Sequence, residues 1–61
     1  MWSELEVFTA IAQAAAALGA PYHRANAGPF GDGMSVTFSD ADGDSLGVFL
    51  VAKDGTVTPA D

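Results

Sequence analysis

Two periodicities divide this chain. Up to Leu18, apolar residues recur at helical spacing, and from Met34 onward they alternate or run together as they do in strands. Leu5, Phe8, Ile11, Ala12, Ala15 and Leu18 make one broad stripe, which Val7 and Ala14 widen. The start of this segment carries a capping signature. Ser3 stands three residues before Glu6, so its hydroxyl accepts the Glu6 amide while the Glu6 carboxylate returns to the Ser3 amide. Trp2 and Val7 have the spacing of a hydrophobic staple, and Glu4 and Glu6 lie where the helix dipole favours negative charge. Gly19 suits a left-handed cap and Pro21 blocks continuation. The pattern predicts a helix from Glu4 to Leu18.

Met34 to Ser39 alternates, with Met34, Val36 and Phe38 on one side and Ser35, Thr37 and Ser39 on the other. Leu46 to Ala52 is apolar on both faces: Leu46, Val48 and Leu50 against Phe49 and Val51. That is how a central strand reads. A short strand, Thr56 to Thr58, follows the Asp54-Gly55 turn. Both connections carry Asp-Gly, the strongest short-range hairpin signal. The expected fold is α+β, an N-terminal α-helix packed on a three-stranded antiparallel β-meander in a single domain.

Two points stay open at this level. A two-residue Asp42-Gly43 turn pairs Val36 with Phe49 and Met34 with Val51, whereas a three-residue loop with Gly43 left-handed pairs Val36 with Val48 and Phe38 with Leu46. One residue of slip exchanges the faces of the strand. A helix covers three strands once, so one apolar face is left over, either Phe49 with Val51 or Leu46 with Val48 and Leu50. The segment from Ala20 to Gly33, with Tyr22, Pro29 and Phe30, either folds under that face or adds a fourth edge strand near Tyr22 to Ala27. Otherwise the face meets a second copy of the chain or a foreign partner.

Composition narrows the function. A chain of 61 residues without cysteine has no disulfide or zinc-thiolate to hold it, and buries only about 60% of its unfolded surface. Arg24 and Lys53 face eight acidic residues, for a net charge of −6. Such a surface repels phosphate backbones and anionic lipid, so nucleic acid and membranes are not expected partners. The longest apolar run, Ala14 to Ala20, is short of a membrane span, and the acidic N-terminus is unlike a secretory signal; a cytoplasmic location is the default expectation.

Asp40, Asp42 and Asp44 begin like a calcium loop, but glycine stands at the fourth position instead of the sixth and Val51 where the bidentate glutamate belongs. His23 has no second histidine and no triad spacing, and Gly28, Gly31 and Gly33 follow no phosphate-loop pattern. The expectation is therefore a non-enzymatic protein without metal or cofactor. Its surface points to a protein partner with a basic face, engaged through Asp40, Asp42, Asp44 and Asp32, with Phe30, Phe49 and Val51 as apolar contacts. In size and acidity the whole chain resembles the small inhibitors that phages direct against host nucleic-acid machinery, anti-CRISPR and DNA-mimic proteins among them. That resemblance implies an inhibitor docking on a basic nucleic-acid-binding surface. It departs from DNA mimics in its modest eight acids and in lacking a long acidic helix face. The alternative is a homodimeric structural or assembly protein joined through the second sheet face.

Overall fold

A computed structural model describes residues 2–60. Helix α1 (Glu4–Leu18) is followed by β1 (Arg24–Phe30), β2 (Gly33–Ser39), β3 (Ser45–Val51) and β4 (Val57–Pro59). The strands form one antiparallel sheet in the order β1-β2-β3-β4, with the helix across one face. The expected α+β meander is present. The segment before Gly33 supplies a fourth, edge strand, set slightly later in the chain than expected.

The helix begins and ends where the caps require. The Ser3 Oγ accepts the Glu6 amide at 3.2 Å and the Glu6 Oε1 accepts the Ser3 amide at 3.0 Å. Gly19 closes the last turn at φ 67°, donating its amide to the Ala15 carbonyl at 3.1 Å. The buried face differs from the expected stripe. Ala10 and Ala14 are its closest approach to the sheet, flanked by Val7, Ile11, Ala15 and Leu18, while Leu5 is 75% and Phe8 60% exposed, and Ala12 is exposed too. The helix is turned about a quarter turn from the face that hydrophobicity alone selects. Methyl-sized side chains at the contact line let the helix come close to the sheet, and this seating outweighs burial of the two larger residues.

The β2–β3 hairpin combines the two arrangements that were open. Its turn is the three-residue form: the Asp40 amide donates to the Asp44 carbonyl and the Gly43 amide to the Asp40 carbonyl, both at 3.0 Å, with Gly43 at φ 89°. Its register is that of the two-residue form, with Val36 opposite Phe49 and Met34 opposite Val51. A β-bulge reconciles them. Ser39 pairs with Ser45 but Phe38 with Gly47, which leaves Leu46 as the extra residue.

The bulge decides the faces. Met34, Val36 and Phe38 join Gly47, Phe49 and Val51 under the helix, and Phe38 lies edge-on to Phe49 at 6.1 Å between ring centroids. The Tyr22 ring packs on Phe38 at a tilt, 4.7 Å between ring centroids. Full burial of a side chain such as Val36 or Phe38 contributes about 1.5–3 kcal/mol. On the opposite face Val48 and Leu50 of β3, both half-buried, stand beside Ser35, Thr37 and Thr58. Phe30 of β1 lines an open hollow with Leu50, Thr56 and Thr58, so that face mixes hydroxyl-bearing and apolar side chains.

Candidate functional site

Three of the carboxylates gather in the β2–β3 turn, and they are not equivalent. The Asp40 Oδ1 accepts the amides of Asp42 at 2.9 Å and Asp44 at 3.0 Å. This carboxylate faces its own backbone and holds the turn, in the manner of an Asx turn. Asp42 and Asp44 are exposed and carry the outward charge of the tip. The β1–β2 pairing brings a basic pair beside them: Arg24 lies opposite Ser39, and the His23 amide donates to the Ser39 carbonyl at 2.9 Å. His23, Arg24, Asp40 and Asp42 line an open hollow of about 210 Å³.

The remaining expected contacts lie elsewhere. Asp32 sits in the two-residue turn between β1 and β2, with Phe30 next to it and 61% exposed. The seven residues of β2 separate this turn from the acidic tip, about 20 Å at 3.4 Å per residue. Asp32 and Phe30 therefore share a neighbourhood with each other and not with Asp42 and Asp44. Phe49 and Val51 are corrected as contact residues. Val51 is 1% exposed and both pack into the core beneath the helix, because the bulge at Leu46 assigns them to the covered face.

The helix N-terminus lies at the Asp32 end of the sheet. Trp2 and Val7 line an open apolar hollow of about 320 Å³ with Ala27, Pro29 and Met34, and the Lys53 Nζ stands 5.0 Å from the centre of the Trp2 ring. The staple residues thus meet the sheet. The amide and hydroxyl of Ser3 hold the Glu6 carboxyl below its ordinary pKa, aided by the charge of Lys53. The Thr56 amide does the same for Asp54, with its nitrogen 2.9 Å from Oδ1. Glu6 and Asp54 line one hollow with Lys53, and Asp32 lines another with it, so these three acids share the far end of the sheet with one lysine.

The strand that brings His23 and Arg24 to the acidic tip carries a weak sequence signal. Arg24–Phe30 is rich in alanine and glycine and contains Pro29, all poor in strand propensity. The usable sign was Gly31-Asp32 between Phe30 and Gly33, a two-residue hairpin connection. Gly31 has φ 58°, at the first central position, where a type II′ turn takes glycine. Among the described residues no group of three or more His, Asp or Glu is arranged to hold a metal ion, and no helix is long and apolar enough to cross a membrane. Compared with protein-family models, curated proteins and solved structures, the chain matches none.

Proposed function

We propose that this protein is a non-catalytic binding module that docks the tip of its β2–β3 hairpin on a basic surface of a partner protein, of the kind that otherwise holds nucleic acid, and so inhibits it. The observation carrying the reading is the double acceptance of backbone amides by Asp40, which leaves Asp42 and Asp44 projecting from an ordered turn. A tip ordered before contact loses less conformational entropy on binding. Its charge speeds encounter with a basic patch and fixes orientation, more than it adds raw affinity. The division of acids between two ends departs from a continuous phosphate-like strip, so the reading is of end-on docking and not of duplex mimicry. Phe30 beside Asp32 belongs to the other end and would serve a separate contact.

The test pairs capture with a designed loss. Tagged wild-type protein and the D42N/D44N variant are used to capture proteins from lysate of the source cell at low and high salt. Asp40 is left intact, because replacing it disturbs the turn as well as the charge. The expected result is a basic nucleic-acid-binding protein retained by wild type, released by salt, lost by the variant and inhibited in its nucleic-acid binding. Equal retention by the variant, with its fold intact by circular dichroism, would remove the tip from the proposal.

A further inference from the structure

The exposed edge of β1 has no partner strand among the described residues. Phe30 and Gly33 flank a two-residue turn, so they form a mutually hydrogen-bonded pair, and the alternation of an antiparallel ladder aims Gly28, Asn26 and Arg24 at β2 as well. The backbone groups of Ala25, Ala27 and Pro29 therefore face outward. β1 has seven residues and no charge between Arg24 and Asp32, which makes it a template for another strand. The opposite edge, β4, has three residues and is a poor one.

We infer that β1 pairs antiparallel with β1 of a second copy, joining two sheets of four strands into one of eight about a two-fold axis at Ala27. This inference is independent of the role proposed for the acidic tip. Full overlap of the two strands sets Ala27 against Ala27, Ala25 against Pro29 and Arg24 against Phe30 of the second copy. The Ala27 pair exchanges two backbone hydrogen bonds. Each Ala25 amide reaches a Pro29 carbonyl, while proline returns no donor, so four bonds form in all.

Charge selects the antiparallel arrangement. It brings Arg24 of each copy to the Asp32 turn of the other, one opposite-sign pair at each end of the contact, with the Asp40 and Asp42 carboxylates flanking Arg24. A parallel arrangement would set Arg24 beside Arg24 and Asp32 beside Asp32. The apolar surface agrees with the choice of edge. Ala27 lies on the helix side of the sheet in both copies, so both helices stay on one side of the joined sheet. The hollows lined by Trp2, Val7, Ala27 and Pro29 lie on that side in each copy, bordered by the strand that makes the contact. Phe8 follows Val7 and is 60% exposed, and Tyr22 is 42% exposed, supplying further apolar surface to the same side.

Sedimentation of the full chain tests this directly. Wild type is expected to sediment as a dimer at about 100 µM, and Ala27→Pro as a monomer or a dimer weakened about ten- to a hundred-fold, through two lost amide donors. The Ala27 amide takes no part in the β1–β2 ladder, so proline there leaves the fold intact, read from an unchanged circular dichroism spectrum. Should Ala27→Pro fail to fold, a charge exchange decides: Arg24→Glu weakens the dimer and Arg24→Glu with Asp32→Arg restores it. A monomeric wild type overturns the inference. So does a dimer indifferent to both a folded Ala27→Pro and the charge exchange, which would place the contact on another surface, the Val48–Leu50 face included.

Discussion

Single residues at the turns and caps carry much of the local order in a chain this small. Ser3 and Glu6 satisfy each other's amides at the helix start, and replacing Ser3 with alanine should cost about 1 kcal/mol in urea unfolding. Because both members act through one reciprocal arrangement, the loss from Ser3→Ala with Glu6→Gln should be smaller than the sum of the single losses. The same cap sets a pH dependence. The folded carboxyls of Glu6 and Asp54 titrate below their unfolded values, so between the two values the unfolded chain binds more protons. Their contribution is present above the unfolded values and is lost as the pH falls from about 5 through the folded ones. Thermal unfolding from pH 7 down to pH 3 should show stability falling in that window. Glu6→Gln should flatten the fall, and an unchanged slope in that variant would assign the acid sensitivity to other carboxylates.

At the scale of elements, what was legible depended on whether a signal was local. The caps of α1 and the alternation of β2 are written in neighbouring residues, and both elements lie close to their expected spans. The face that α1 buries is not local. Alanine ranks low in hydrophobicity, yet Ala10 and Ala14 define the contact because closeness of approach is decided by the sheet beneath them. Ala14→Leu should therefore destabilise by about 1–3 kcal/mol through overpacking, whereas Leu5→Gln should change stability by less than about 0.5 kcal/mol; chemical denaturation of the two variants distinguishes this seating from the expected one. The register of β3 was ambiguous for a similar reason. The turn chemistry of Gly43 and the burial preference of Phe49 and Val51 point to registers one residue apart, and the bulge at Leu46 accommodates both. Deleting Leu46 removes the extra residue while preserving the pairs on either side, so that variant should fold with the same core. Deleting Val48 instead also removes one residue between Ser45 and Phe49, but it sets Leu46 opposite Phe38 in the place of Gly47, against Leu18 and Phe49 under the helix, so that variant should be destabilised by about 1–3 kcal/mol through overpacking, a contrast that chemical denaturation reads out.

Across the whole molecule the question is how a net charge of −6 is arranged on a body measuring 31 × 21 × 18 Å. Counting acids along the chain shows the cluster at Asp40, Asp42 and Asp44 but not its neighbours. That Arg24 and His23 stand beside that tip, while Asp32, Glu6 and Asp54 lie at the far end, follows only from strand pairing and the direction of α1 across the sheet. The candidate site was legible as a charged turn, and its surroundings were not, because β1 carries the weakest strand signal in the chain. The arrangement has a thermodynamic consequence. Asp40, Asp42 and Asp44 share one turn, within roughly one Debye length at 0.1 M salt, about 10 Å, so their repulsion opposes the folded state at low ionic strength and is screened by added sodium chloride. The melting temperature should rise by about 2–5 °C between low salt and 0.3 M. The same salt should weaken docking of Asp42 and Asp44 on a basic partner. Opposite responses of stability and binding to one variable separate a charge that serves recognition from one that supports the fold. A melting temperature that fell with salt would mean that attractions such as Lys53 with Glu6 outweigh the repulsion between the acids.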